Sequence, residues 1–226
     1  MTIALITTTK DRPRYLMECA KSVKAQLKQP TEWIIVIDGD DHAYQSVIDF
    51  VKKLVPQTVF YHAGDVGRNK ALRIAHSLVT SDYVGWLDDD DWLHPYCLSQ
   101  CDKDKPFIYT DFYCVHTDKP PVVGIRNTKP YTYDALLKDN IVFHYHQYSM
   151  DLYHSVGGID PTFDTTMDYE LCLRLLKDVQ PHKVDIPLYY YRIHPYSITG
   201  RQRDRQITNK QRAIQKHDPI KSSTSK

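Results

Sequence analysis

Four short apolar runs, separated by amphipathic stretches, occupy the first part of this chain. They cover residues 3–6, 33–37, 58–61 and 83–87. The second run is apolar without alternation, which is typical of a parallel strand covered on both faces. In the stretches between the runs, apolar residues recur at helical spacing. This alternation predicts an α/β fold, in which a mostly parallel sheet with right-handed crossovers is flanked by helices.

Polar clusters follow three of the predicted strands. They are Thr7–Arg12, Asp38–Asp41 and Asp88–Asp91. Ligands of open α/β sheets bind outside the carboxyl ends of the strands. We therefore expect the three clusters to converge at one edge of the sheet and to form a binding site there.

The four consecutive aspartates, Asp88–Asp91, are costly after a buried strand, because like charges repel unless a cation or hydrogen-bond donors balance them. Hard oxygen ligands suit Mg²⁺ or Mn²⁺, which share substrate phosphates with the protein. The cluster therefore favours a divalent metal site, and a solvated acidic loop is the alternative.

Residues 68–70, Arg-Asn-Lys, open a predicted helix. A basic pair at a helix N-terminus, where the backbone already favours phosphate, would suit a diphosphate beside a metal. A solvated first turn explains the same residues equally well.

The net charge of +1 conceals a division along the chain. Residues 198–226 carry eight basic and two acidic side chains, so the preceding part has a net charge of −5. Near-neutrality excludes a bulk nucleic-acid binder. The basic tail is interpreted as a lid over a diphosphate, as a surface helix for acidic partners or peripheral contact with anionic lipid, or as solvated chain from Lys210 onward. The last six residues are predicted to be disordered.

The five cysteines have no spacing typical of a zinc or redox site, which favours free thiols in a reducing compartment. No signal peptide and no apolar stretch long enough to span a membrane is visible, so we expect a cytoplasmic location.

The second half of the chain is less regular. It predicts strands at 107–109, 112–116 and 186–193, helices at 133–137 and 169–176, and a hairpin turn at Lys119–Pro121.

Seven short motifs occur along the chain in order. They are Thr8–Pro13, Val36–Asp40, Gly67–Asn69 with Ala71, Trp86–Trp92 with Pro95, Gly157–Asp160, Met167–Leu171 with Arg174, and Tyr191–Pro195 with Ser197. Over about residues 3–200, this series resembles the motifs of the family 2 glycosyltransferases of the GT-A fold. Each motif alone is weak, and it is their number and order that carry the resemblance.

The resemblance implies one GT-A domain over residues 1–200, with a Rossmann-like, mostly parallel sheet and a smaller antiparallel portion on the acceptor side. Residues 1–95 are expected to bind the nucleotide sugar and residues 96–200 the acceptor, followed by the basic tail, residues 201–226. The implied activity is metal-dependent, inverting transfer of a sugar from a nucleotide sugar to a hydroxyl of a saccharide or another acceptor. A UDP-hexose is the first candidate for the donor.

The resemblance also implies roles for single residues. The nucleotide-sugar-binding set is Thr8, Thr9, Arg12, Asp38, Arg68, Lys70, Asp88 and Asp89, with Asp38 accepting from the imide N–H of uracil. Mn²⁺ or Mg²⁺ is expected at Asp88, Asp90 and His194. Asp168 is expected to be the catalytic base that takes the proton of the acceptor hydroxyl.

Two positions depart from the family pattern. Ile37 stands where the family often has an acid, and Met167 stands where a glutamate usually precedes the base. Glu170 is therefore kept as a reserve base. Asp168 has a second explanation as the N-cap of the helix that follows it.

Three histidines, His144, His146 and His154, form a further cluster in the sequence. His144 and His146 would lie on one face of a strand, but no third residue follows at a spacing typical of a metal site. We therefore predict acceptor-pocket or surface histidines rather than a second metal site.

Three other functions compete with the transferase. A phosphatase of the haloacid dehalogenase type would use Asp38 and Asp40 after an apolar strand, with Lys70 as its lysine, although His42 stands where threonine or valine is expected. The other two are a nucleotidyltransferase on a related fold and a catalytically inactive module that binds a nucleotide or a sugar.

Overall fold

The computed structural model describes residues 1–40, 42–116, 123–126, 130–194, 197 and 202–218. Three predicted features lie outside these residues. They are the hairpin turn at Lys119–Pro121, Asp41 of the second polar cluster, and the last six residues of the tail.

The first half forms the predicted parallel sheet. Its strands are β1 (Ile3–Thr9), β2 (Glu32–Ile37), β3 (Thr58–His62) and β4 (Tyr83–Trp86). β1 pairs in parallel with both β2 and β4, and β2 pairs in parallel with β3. The three polar clusters therefore follow neighbouring strands at one edge of the sheet.

Helices cover both faces of this sheet. They are α1 (Pro13–Lys24), α2 (Gln45–Leu54), which follows a short 3₁₀ turn at His42–Tyr44, and α3 (Arg68–Ser77). Ile6 and Ile34 pack in one core with Leu72 of α3, whereas Leu5 and Ile35 pack in a second core with α1 and α2. Successive side chains of a strand point to opposite faces, and here both faces of β1 and β2 are covered by helices. The sequence of these strands therefore shows no alternation of apolar and polar residues.

The second half extends the same sheet. Its strands are β5 (Trp92–Leu93), β6 (Phe107–His116), β7 (Val123–Arg126), β8 (His146–Ser149) and β9 (His182–Ile193). Its helices are α4 (Cys97–Gln100), α5 (Tyr133–Lys138), α6 (Met150–Ser155), α7 (Met167–Leu175) and α8 (Arg203–His217). In the described part of the chain, the strand order is β3-β2-β1-β4-β8-β6-β9-β5, with β7 on β6.

The pairings in this half are mostly antiparallel. β8 runs antiparallel to β4 and to β6, while β9 runs parallel to β6. The predicted strands at 107–109 and 112–116 form one strand, whose register against β9 shifts around Asp111. The irregularity interrupts the alternation of side chains, which explains why the sequence indicates two strands.

The beginning of the basic tail is a helix that packs on the domain. α8 contacts α5 and α7, and it buries Asn209 and Ala213. This differs from the solvated chain expected from Lys210 onward. The fully buried side chains of α8 are one alanine and one asparagine, with Ile214 partly buried beside them, so no continuous apolar stripe marks this face in the sequence.

In the described residues, the structure contains no helix with the length and apolar character needed to span a membrane.

Candidate active site

The loops after β1, β2 and β4 meet in the structure. Thr9 Oγ1 donates to Asp89 Oδ2 at 2.6 Å, and the Arg12 guanidinium lies 2.8 Å from Asp89 Oδ1. Tyr44, beyond the loop after β2, lies 2.9 Å from Thr9 Oγ1 through its hydroxyl. The chain thus brings residues separated by up to 80 positions to one edge of the sheet.

Two cavities open at this edge. One lies beside the polar cluster at the end of β1, Thr7–Arg12, which we name the first loop. This first-loop cavity has a volume of about 970 Å³ and is lined by Thr8–Tyr15, Asp38, Gly67, Arg68 and Gln202. The second, which we name the cleft, has a volume of about 760 Å³. Asp88, Asp90 and Asp168 line the cleft, and Arg12 and Arg68 line both cavities.

Asp88 and Asp90 face the cleft and form the candidate metal site. Oxygens of Asp88, Asp90 and Asp91 lie within 4.8 Å of one another. His194 Nε2 lies 3.0 Å from Asp90 Oδ2. Carboxylate oxygens are the ligands that Mg²⁺ and Mn²⁺ prefer, and imidazole is compatible with Mn²⁺, so the donor set fits such an ion.

Asp91 is part of the fold rather than an open ligand. It is 1 % exposed and accepts hydrogen bonds from the Tyr189 hydroxyl and from the Arg192 backbone N–H, both at 2.7 Å. Burial raises the pKa of Asp91 well above its ordinary value. The Asp88 backbone N–H donates to the same Tyr189 hydroxyl at 3.2 Å. Tyr189 therefore fixes the loop of four aspartates, Asp88–Asp91, which we name the acidic loop.

Asp89 is buried as well, and burial raises its pKa to about 7 although Arg12 opposes the shift. Its carboxylate contacts Thr9 and Arg12. It therefore joins the acidic loop to the first loop from beneath and is not exposed to a nucleotide.

Two arginines balance the acidic loop. Arg12 pairs with Asp89 and Asp90, and Arg68 Nη2 lies 2.7 Å from Asp88 Oδ1. Burial alone would lower the pKa of Arg68, but Asp88 and Asp168 raise it above its ordinary value. The repulsion expected among the aspartates is thus offset by cations that also suit phosphate.

Asp38 supports the loop that leads into α3. Its Oδ1 accepts the backbone N–H groups of Val66 at 2.7 Å and Gly67 at 3.0 Å. Gly67 has a φ of +82°, which side-chain-bearing residues rarely adopt. Asp38 itself lines the first-loop cavity.

Lys70 is a predicted nucleotide-binding residue that the structure places away from both cavities. It is exposed on α3 and lies outside the lining of both cavities. Residues two positions apart on a helix do not share a face, so Lys70 points away from the side that Arg68 presents.

Asp168 lies in the first turn of α7, half-buried at the cleft. The N-cap of α7 is Thr166, which has a φ of +63°, so the N-cap interpretation of Asp168 is wrong. A left-handed conformation is unusual for a β-branched residue and places strain directly before Met167 and Asp168.

Glu170 lies on the other side of α7. It is fully buried and accepts from Arg174, from Lys216 Nζ at 2.9 Å and pairs with His217 Nε2 at 3.0 Å. Burial would raise the pKa of Glu170, but these partners lower it to about 2. A carboxylate that is covered by its partners and has a lowered pKa is out of reach of an acceptor and only weakly basic, so Glu170 does not fit the role of reserve base.

The three histidines have different surroundings. His144 lines the cleft, His154 is exposed, and His146 is buried beneath His144 with ring centroids 4.8 Å apart. Burial lowers the pKa of His146 well below its ordinary value. The acceptor-pocket or surface interpretation therefore fits the positions of His144 and His154 and is wrong for His146.

Sequence reasoning did not single out Tyr189 and Arg192 as site residues. The Arg192 guanidinium lies 4.6 Å from the Tyr15 ring and 4.7 Å from the Trp92 ring, and it donates to the Asp90 carbonyl. The period of two in β9 would have placed Tyr189 and Tyr191 on one face of the sheet, but nothing in the sequence identifies which face meets the acidic loop.

Comparisons with known proteins identify the family. A family model described as "Glycosyl transferase family 2" matches residues 4–219. Chondroitin synthase and hyaluronan synthase of Pasteurella multocida are each 25 % identical over 167 residues, which cover 71 % of this chain and 17 % of theirs. Chondroitin synthase of Escherichia coli is 23 % identical over 186 residues, which cover 80 % of this chain and 27 % of that one. This chain thus spans less than a third of the length of these curated relatives.

Solved structures show the same fold. TarS of S. aureus, residues 1–349 in complex with UDP-GlcNAc, has a TM-score of 0.72 at 12 % identity, covering 99 % of this chain and 69 % of that one. The complex of the same protein with UDP has a TM-score of 0.71. The expected mixed α/β GT-A fold is confirmed, and because the family model spans nearly the whole sequence, the chain belongs to glycosyl transferase family 2.

Proposed function

We propose that this chain transfers a sugar from a nucleotide sugar to an acceptor hydroxyl with inversion at the anomeric carbon. The first candidate for the donor is a UDP-hexose. One observation carries the proposal. Two half-buried aspartates of the loop after β4 and a third aspartate on α7 line one cleft, with a histidine beside Asp90 and two arginines at the border.

The first-loop cavity is proposed to bind the nucleotide. Thr8 and Asp38 line this cavity and would hold the base, with the Asp38 carboxylate accepting from an imide N–H of uracil beside the two backbone N–H groups that Oδ1 already accepts. Arg12 and Arg68 border both cavities and would contact the diphosphate. TarS, a structural neighbour, has been solved in complex with UDP and with UDP-GlcNAc. We extend the choice of a uridine nucleotide from TarS to this chain.

Asp88, Asp90 and His194 are proposed to hold Mn²⁺ or Mg²⁺. When bound, such an ion neutralises the charge of a departing nucleoside diphosphate. Arg12 and Arg68, which now contact the same aspartates, supply further positive charge on the leaving-group side.

Asp168 is proposed to be the base. It lies in the cleft near Arg68 and would take the proton of the acceptor hydroxyl as that oxygen attacks the anomeric carbon. Attack on the face opposite to the diphosphate inverts the configuration.

On this proposal, residues 1–95 bind the donor and residues 96–200 bind the acceptor. The five free cysteines fit a cytoplasmic location, because thiols stay reduced there.

Isothermal titration with UDP, with Mn²⁺ present or replaced by EDTA, tests the donor site. We expect binding that weakens at least about tenfold without the ion, and about tenfold in Asp90→Asn with the ion present. Asp49→Asn, an exposed aspartate on α2, is the matched control and should bind UDP as the unaltered chain does. Hydrolysis of a panel of nucleotide sugars then identifies the donor.

Outcomes of this panel separate the alternatives. Membership of family 2 and the two backbone bonds at Asp38 Oδ1 disfavour the phosphatase, whose nucleophile would be Asp38. A protein that binds UDP but consumes no nucleotide sugar would be the inactive module. A protein that binds no nucleotide under either condition contradicts the proposal.

A further inference from the structure

The cleft has a basic wall that is formed by two parts of the fold. β6 and β7 form one part of this wall with Phe112, Cys114 and Arg126, and the first two turns of α8 form the other part. The α8 side chains are Arg203, Arg205, Gln206, Ile207 and Lys210. Asp168 lines the same cleft, so a molecule that brings a hydroxyl to Asp168 enters the cavity that this wall borders.

Seven arginine and lysine side chains line the cleft, and five of them have carboxylate partners within the chain. They are Arg12 with Asp89 and Asp90, Arg68 with Asp88, Arg192 with Glu18, Arg205 with Asp164, and Lys210 with Asp139. Arg126 and Arg203 are the other two. Across residues 1–40, 42–116, 123–126, 130–194, 197 and 202–218, no carboxylate forms an ion pair with either of them.

Both arginines are held in place by ordered elements. Arg126 lies directly across from Phe112 in the β6–β7 pair, and cross-strand neighbours share a face of the sheet. Arg203 begins α8, whose position is fixed by Asp164 and Thr165 through Asn209. Their placement at the cleft is therefore a property of the fold.

Donor binding would not supply the missing negative charge. A nucleoside diphosphate and a divalent cation bring nearly equal and opposite charges, and Arg12 and Arg68 already stand beside their site. The charge of the wall around Arg126 and Arg203 thus remains unbalanced when the donor is loaded.

We propose that the acceptor carries its own anionic group, a carboxylate or a phosphate ester close to the hydroxyl that is glycosylated, and that Arg126 and Arg203 bind this group. The inference rests on the proposed transferase function and adds the chemical class of the acceptor. Arginine is suited to the task because its planar guanidinium donates two parallel hydrogen bonds to either anion.

Three small probes built on the same sugar ring test the proposal on the full chain saturated with UDP and Mn²⁺. They are methyl β-glucoside, methyl β-glucuronide and methyl β-glucoside 6-phosphate, and saturation-transfer NMR gives their dissociation constants. We expect one or both charged probes to bind about tenfold more tightly than the neutral one. The stronger of the two charged probes identifies the source of the anion.

The double variant Arg126→Gln, Arg203→Gln should lose this preference and retain the UDP affinity of the unaltered chain. Both side chains are exposed, so their replacement leaves the fold intact. Arg73→Gln is the matched control, because Arg73 is an exposed arginine on α3 outside both cavities, and it should keep the preference.

Three results would overturn the inference. One is equal binding of charged and neutral probes, or binding of none, and another is a preference that survives in the double variant. The third is a loss of UDP affinity in the double variant, which would place these arginines on the donor. Failure of the unaltered chain to bind UDP would instead refute the transferase proposal itself.

Discussion

Among single residues, the four consecutive aspartates alternate in their surroundings. The side chains of Asp88 and Asp90 are 22 % and 13 % exposed at the cleft, whereas Asp89 and Asp91 are buried. The charge run alone indicates an acidic site. It does not indicate which members are buried, because Thr9, Tyr189 and Arg192, which hold the buried pair, are distant in sequence and meet the loop only in the folded sheet.

Replacement of Asp168 by asparagine removes the proposed base and keeps the size of the side chain. We expect the turnover number to fall by about 10²- to 10⁴-fold, the usual contribution of general base catalysis, with the affinity for UDP unchanged. Steady-state kinetics and UDP titration of the same preparation measure both. Unaltered turnover would show that another group takes the proton.

Glu170 couples stability to pH. Its folded-state pKa is lowered to about 2 from an ordinary value of 4.5, so its stabilising contribution is complete above about pH 4.5 and is lost as the pH falls toward 2. We expect Glu170→Gln to lower the free energy of unfolding by about 2–3 kcal/mol at pH 7, with a smaller difference near pH 3. Urea unfolding of both proteins at the two pH values measures this, and a difference that is constant with pH would contradict it.

At the level of elements, β4 and β8 meet at a glycine. A Cβ on Gly85 would lie 2.1 Å from the Tyr145 hydroxyl, and Tyr145 is fully buried and donates to Gln147 of β8. We expect Gly85→Ala to destabilise the protein by about 3 kcal/mol or more, because a buried ring has no room to move aside. Chemical denaturation measures the loss.

Gly124→Ala is the control for this substitution. Gly124 also lies in a strand, and a Cβ there would meet nothing within 4 Å. It should change stability by less than about 1 kcal/mol. Equal effects at the two positions would show that strand glycines matter here for chain entropy and not for the contact with Tyr145.

The helix α8 makes a second prediction at this scale. Ala213 is fully buried and Gln211 is exposed on the same helix. Ala213→Asp should destabilise the protein by about 2–4 kcal/mol, since it buries a carboxylate without a partner, whereas Gln211→Asp should cost little. Thermal unfolding of the pair compares them, and similar melting temperatures would indicate that α8 does not pack as described.

The elements also show how far the sequence leads. Apolar period and strand ends were sufficient to predict β1–β4, α1–α3 and the edge at which the polar loops meet, because each of those signals is local. The tail is interpreted from the sequence as a lid, a surface helix or solvated chain, and its packing on the domain is not indicated, since the contacts of α8 with Asp164, Asp160 and Glu170 are polar and come from distant parts of the chain. Asp168 was given a capping role because the boundary of α7 depends on the backbone of Thr166, which has no sequence signal.

Across the whole molecule, one sheet runs through both halves. β4 of the first half pairs with β8 of the second, and residue Trp92, at the end of the acidic loop, pairs with Tyr190 of β9. The division of charge along the chain has a structural counterpart, because Arg205, Lys210 and Lys216 of α8 pair with acids of the domain. The donor and acceptor halves are therefore proposed as functional regions of one folding unit.

A single folding unit should unfold in one step. We expect the urea transitions followed by far-ultraviolet and near-ultraviolet circular dichroism to coincide, because losing β8 leaves an edge of β4 without its hydrogen-bonding partner. Two separate transitions would show that the halves have independent stability.

The placement of the tryptophans has a spectroscopic consequence. The chain has three, Trp33, Trp86 and Trp92, and the first two are buried while Trp92 is half-buried under the Arg192 guanidinium at the end of the acidic loop. A ligand that rearranges this loop alters the polarity around one indole and leaves the other two in their dry surroundings. Intrinsic fluorescence therefore reports on the occupancy of the site without an added dye, and Trp92→Phe identifies the emitting residue.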